Sequence, residues 1–62
     1  MGWRREVRDR IAELEQQRLR LEEQRHRARR LGGPEGKRLE GELRAKLKEV
    51  SHHIDDLRAS LE

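Results

Sequence analysis

The residue types that could carry out chemistry are concentrated in the segment Ser51–Asp56, which contains two histidines and two aspartates. His52 and Asp56 are four residues apart and would share one side of a helix, as two metal ligands can. Two ligands do not complete a metal site, since zinc sites use at least three protein ligands. Ser51 and His52 are consecutive and point about 100° apart on a helix, so the serine cannot pass its proton to the histidine. We therefore expect solvated polar side chains around Ile54, with no catalytic site, no metal and no cofactor.

Arginine side chains near the middle of the chain form a second candidate site, for a polyanion. Residues 1–31 hold ten arginines against six acids, a net charge of +4, whereas residues 32–62 hold six bases against seven acids, a net charge of −1. The excess of cations lies around the middle of the chain, with Glu35 as the only acid expected beside it. The candidate polyanion-binding residues are Arg25, Arg27, Arg29, Arg30, Lys37 and Arg38.

These cations suit phosphate, because guanidinium groups bind phosphate oxygens in pairs and neutralising a polyanion releases its counterions. The cluster predicts binding to the phosphates of RNA or DNA as an alternative function. Trp3 is the only aromatic residue, so stacking on the bases of a single strand is not expected. The competing interpretation is structural, since Arg29 and Arg30 would lie in the last turn of a helix, where cations stabilise the helix dipole.

The composition indicates long helices in an all-α chain. Of the 62 residues, 47% are charged and 31% hydrophobic, and Thr, Asn, Tyr and Phe are absent. Ala, Glu, Lys, Leu and Arg together make up 39 residues, well above the half that is typical of long helices and coiled coils. There is no cysteine, so no disulfide can support so short a chain. We therefore expect association with another chain to contribute to its stability.

A single turn signal, Gly32-Gly33-Pro34, divides the sequence into two halves. Glycine suits the left-handed position that ends a helix, and proline suits the first turn of the next. The sequence thus predicts one domain over residues 1–62: helix one at about 3–31, a turn at 32–34 and helix two at about 35–61.

Each half carries an apolar stripe at heptad spacing, and the two stripes meet when the chain folds back at the turn. The predicted seam consists of Val7, Ile11, Leu14 and Leu21 in the first half and of Leu43, Leu47, Val50, Ile54, Leu57 and Leu61 in the second. The fold predicted is an antiparallel two-helix coiled-coil hairpin. It pairs Ile11 with Ile54 and sets Arg18 against Leu47. A register shifted by one helical turn is also compatible with the position of the Gly32-Gly33-Pro34 loop.

One seam is too little to order about sixty residues alone, so we expect two hairpins to pair into a dimeric four-helix bundle. Trp3, Ala12 and Leu19 lie outside the seam and form a candidate secondary interface. The function predicted is a non-enzymatic structural or protein-interaction module that oligomerises or binds a partner protein through its leucine seam. No apolar run reaches the ~18 residues of a membrane span. We expect a cytoplasmic protein that has no small-molecule substrate and does not enter the membrane.

Overall fold

The computed structural model describes residues 2–62, which form two α-helices of 29 residues each. Helix α1 spans Trp3–Leu31 and helix α2 spans Gly33–Leu61, and the two pack against each other as a hairpin. Within residues 2–62 there is no strand. The all-helical prediction and the two-helix hairpin are confirmed. Neither helix contains a stretch that is long and apolar enough to cross a bilayer.

The turn is shorter than the sequence predicts, because only Gly32 separates the two helices. Gly32 and Gly33 have φ angles of 69° and 65°, in the left-handed region that side chains disfavour. The Gly32 N–H donates a hydrogen bond to the Ala28 carbonyl at 3.3 Å, and the Gly36 N–H donates to the Gly32 carbonyl at 3.0 Å. The second bond already belongs to the α2 ladder. It places Gly33 and Pro34 in the first turn of α2, where proline needs no N–H partner.

The interface between the helices is the predicted seam. All ten predicted seam residues are buried or half-buried. Ile11, Leu14 and Ile54 form its most apolar cluster, and Ile54 is only 1% exposed. Four half-buried residues pack against that cluster: Val7, Val50, Leu57 and Leu61.

Near the turn the helices approach each other without large side chains. Ala28 is 1% exposed, and Gly36 is also buried. A Cβ atom built on Gly36 would lie 2.7 Å from the Ala28 carbonyl oxygen, closer than any real contact allows. Gly36 is therefore a packing residue of the hairpin. The apolar pattern of the sequence does not identify Gly36 as part of the core.

Candidate interaction surfaces

The segment Ser51–Asp56 exposes most of its polar side chains to solvent. Its two histidines and two aspartates are exposed, whereas Ile54 points into the core. Within residues 2–62, no group of three or more His, Asp or Glu side chains is placed to hold a metal ion. This arrangement matches the expectation of solvated polar residues around a core isoleucine.

One side of the hairpin is crossed by ion pairs between the helices, and we call it the paired face. Near the open end, Arg58 Nη2 donates a hydrogen bond to Glu15 Oε1 at 2.7 Å. Near the turn, Arg29 donates to Glu40 Oε1 from Nε at 3.3 Å and from Nη2 at 3.2 Å. Arg25 Nε lies 3.9 Å from the same Glu40 oxygen. These pairs are partly exposed, so each stabilises the hairpin by at most about 1 kcal/mol.

Glu40 corrects the expected chemistry of the arginine cluster. The sequence suggests Glu35 as the only acid nearby, yet the fold brings Glu40 from α2 against Arg25 and Arg29 of α1. The Glu40 side chain is only 19% exposed, so most of it is packed in the interface between the helices. Two of the six candidate cations are therefore already engaged with a carboxylate.

The remaining four candidate cations stay accessible at the turn end. All are exposed, and within residues 2–62 none of them lies within ion-pair distance of a carboxylate. We call this smaller group the basic tip: Arg27, Arg30, Lys37 and Arg38. Its position at one end of a hairpin 49 Å long leaves the rest of the molecule clear of any ligand it binds.

The opposite side of the hairpin has a different character, and we call it the open face. A shallow depression between the helices runs along its middle, lined mainly by Gln17, Leu21 and Gln24 of α1 and by Lys46 and Val50 of α2. Leu21 and Val50 are half-buried seam residues whose outer surfaces reach this depression. In this stretch uncharged glutamines occupy the places that charged residues take on the paired face.

Exposed apolar side chains extend the open face toward both ends. Trp3 lies fourteen residues before Gln17 and Leu31 fourteen residues after it. Fourteen residues are two heptads, so all three lie on the same side of α1. Trp3 is 54% exposed and Leu31 is 62% exposed. Leu39 lies seven residues before Lys46 and is 40% exposed. The Trp3 ring also has the Arg4 guanidinium 5.8 Å from its centroid. Large apolar surface is thus available at both ends of this face.

The remaining predicted interface residues lie elsewhere. Ala12 and Leu19 are both exposed, seven residues apart, on the side of α1 that faces away from α2. Trp3 lies on a different side of α1 from this pair, so the three residues of the candidate secondary interface do not form one surface.

Arg18 and Arg25, the polar residues in the α1 stripe, are half-buried. This position suits long aliphatic stems that pack in the seam while the charged groups reach solvent. Arg25 in addition reaches Glu40, so it contributes to the paired face as well as to the seam.

Searches of protein-family models, curated proteins and solved structures give no match to this chain. Its function must therefore be inferred from the three surfaces that the hairpin presents: the paired face, the open face and the basic tip.

Proposed function

We propose that this chain is a non-enzymatic helical module whose function is to associate, in the first place with a second copy of itself to form a four-helix bundle. The observation that carries the proposal is that the hairpin leaves several large apolar side chains exposed while burying few. Six apolar residues are buried, whereas four large ones remain more than a third exposed: Trp3, Leu19, Leu31 and Leu39.

The hairpin also lacks the usual supports of so small a fold. A chain of this length buries a small share of its surface, and it has no cysteine with which to form a disulfide. Pairing two hairpins would bury part of the apolar surface that each copy exposes and so enlarge the core that the two copies share.

Association of this kind leaves the hairpin intact. Leu14, Leu43 and Ile54 are only 1–4% exposed, so they are already used between α1 and α2. A second copy, or a partner protein, would contact the outer surfaces of half-buried seam residues such as Leu21 and Val50 together with the exposed apolar residues around them.

Sedimentation and light scattering across a range of concentrations test the proposal. We expect a particle of twice the 7.5 kDa chain mass, with a thermal unfolding midpoint that rises with protein concentration, because association stabilises the folded state by mass action. A fully helical 7.5 kDa particle whose midpoint does not depend on concentration would overturn self-association.

The basic tip supports a second candidate function, binding to nucleic-acid phosphates. Its four exposed cations project from one end and are free of carboxylates within residues 2–62. If all four neutralise phosphates, affinity for duplex RNA or DNA falls about 100-fold between 50 and 200 mM salt. Absence of a complex at 50 mM salt would exclude this function.

Matched variants locate the binding if a complex forms. The double substitution Arg30→Gln and Arg38→Gln removes charge from the basic tip, whereas Arg5→Gln and Arg8→Gln remove the same charge from exposed positions near the other end. We expect only the first variant to weaken binding, and equal losses in both would show that the tip is not the site.

A further inference from the structure

We infer that the second copy packs against the open face, with the two α1 helices antiparallel and the two basic tips at opposite ends of the bundle. The inference rests on the proposed self-association and adds the surface and the orientation. It starts from a charge pattern along α1 that no contact inside the hairpin explains.

Four charged residues recur every seven positions on α1 and therefore form one stripe: Glu6, Glu13, Arg20 and Arg27. Arg20 borders the depression of the open face together with Gln17 and Leu21, so this stripe forms the rim of that face. All four side chains are exposed. Glu13 contacts Arg10 of its own helix at 3.0 Å, but it is 68% exposed and can accept from a second cation.

The order of charges along this rim, two acids followed by two bases, is complementary to itself when reversed. A two-fold axis between Gln16 and Gln17 sets Glu6 opposite Arg27 of the second copy and Glu13 opposite Arg20. Each pair occurs twice, so four pairs of opposite charges meet. Such complementarity determines orientation and excludes wrong partners more than it adds affinity.

The same axis also brings the exposed apolar ends of the open face together. Trp3 comes within one residue of Leu31 of the second copy, and the glutamines meet near the centre, where Gln17 lies close to its own symmetry mate. Glutamine side chains can hydrogen-bond across the contact without the cost of burying charge. The hairpin extends 49 × 14 × 11 Å between Cα atoms. One face therefore offers on the order of 800 Å² to a partner, the usual area of a stable interface.

The opposite orientation, with both tips at the same end, places α1 against α2 of the second copy. The α2 rim is acidic throughout, with charged residues seven apart: Glu35, Glu42, Glu49 and Asp56. Arg20 and Arg27 would then attract these acids, but Glu6 and Glu13 would meet them as like charges, and the two basic tips would stand side by side. In the inferred orientation the two α2 rims face each other instead, and Lys46 in the depression offsets part of their repulsion.

Two charge variants test both the face and the orientation. Glu6→Arg with Glu13→Arg makes the α1 rim entirely basic, and Arg20→Glu with Arg27→Glu makes it entirely acidic. We expect each variant alone to dimerise with a Kd raised about tenfold or more, because four attractive pairs become repulsive. An equimolar mixture should form a heterodimer at least as tight as the wild-type dimer.

Each other outcome overturns a defined part of the inference. If the all-basic variant dimerises more tightly than wild type, its rim meets the acidic α2 rim, and the orientation is wrong. If both variants dimerise like wild type, the open face is not the contact. A wild-type chain that stays monomeric removes the proposed function itself, independently of the variants.

A matched control separates the rim from net charge. Asp9→Arg with Glu23→Arg changes the charge by the same amount as the all-basic variant, at exposed positions on the outer side of α1. We expect the control to dimerise like wild type, with circular dichroism confirming equal helicity in all variants. An equal loss of dimer in the control would assign the effect to overall charge and overturn the open-face contact.

Discussion

The open end of the hairpin packs branched aliphatic side chains, whereas the turn end brings the two backbones together. At the open end, Ile11, Leu14 and Ile54 form the apolar cluster. At the turn end, Gly36 lies so close to Ala28 that no side chain fits between them, and polar contacts from Glu40 border this approach. The stability of one end therefore depends on buried area, and that of the other on steric fit and charge.

The difference has a physical origin in the one-residue turn. Because only Gly32 separates the helices, their ends are forced together, and large side chains at the first facing positions would clash. Farther from the turn the separation is set by the side chains themselves, so isoleucine and leucine can fill it. Substitutions at the two ends should accordingly differ in size and in sensitivity to salt.

The largest effect is expected at the open end. Replacing Ile54 with alanine removes the most buried large side chain and leaves a cavity between the helices. We expect a loss of about 2–5 kcal/mol in the free energy of unfolding, measured by urea denaturation monitored by circular dichroism. This loss is comparable with the whole stability of a small domain, so much of the helix signal should disappear.

Leu19→Ala provides the control for that experiment. Leu19 is exposed on the outer side of α1, so its truncation should change stability by less than about 0.5 kcal/mol. A large loss at Leu19 would mean that it is buried in an assembly. The contact between copies would then lie on the stripe of Ala12 and Leu19.

At the turn end, the close approach of the helices is tested by adding a side-chain atom at Gly36. Gly36→Ala introduces a Cβ that would lie 2.7 Å from the Ala28 carbonyl oxygen, so the helices must separate locally. We expect a net loss of roughly 1–2 kcal/mol, because overpacking outweighs the higher helix propensity of alanine. Urea denaturation measures this change directly.

Gly41→Ala is the matched comparison five residues farther along α2. A Cβ on Gly41 meets nothing within 4 Å, so alanine should stabilise the hairpin by about 0.5–1 kcal/mol. The same chemical change is thus expected to have opposite signs at the two glycines. Stabilisation by both would show that the approach of Gly36 to Ala28 is not a constraint on the fold.

These two glycines also show how far sequence patterns reach. The spacing of Leu43, Leu47 and Ile54 predicts that they pack in the helix interface, because apolar residues at heptad spacing usually form a packed face. Gly36 gives no such signal, since it contributes through the absence of a side chain. The signal that could have found it is the heptad extended backwards, because Gly36 lies seven residues before Leu43.

The same reasoning explains the missed member of the paired face. Glu40 lies seven residues before Leu47, so it occupies a seam position toward the turn. Because it is an acid, the sequence pattern suggests instead that the apolar stripe ends before it. Its partners are eleven and fifteen residues away in sequence, and only the fold brings them together. By contrast, the positions of the charged stripes on α1 and α2 follow from heptad spacing alone once the seam residues are known.

The smallest expected effect tests whether charge matters more at the turn end. Glu40→Gln removes one carboxylate shared by Arg25 and Arg29, whereas Glu15→Gln at the open end removes one that pairs only with Arg58. Both losses should stay under about 1 kcal/mol, because the pairs are exposed to solvent. The loss should be larger for Glu40, whose side chain is less exposed than that of Glu15 and which leaves a half-buried Arg25 without an acid.

Salt separates this contribution from packing. Raising ionic strength screens charge pairs near the surface, so the difference between wild type and Glu40→Gln should shrink at 1 M salt, where the Debye length is about 3 Å. The loss caused by Gly36→Ala should persist, since steric overlap is not screened. If the Glu40→Gln difference is unchanged by salt, the carboxylate acts through packing of its side chain, and the turn end is held by shape alone.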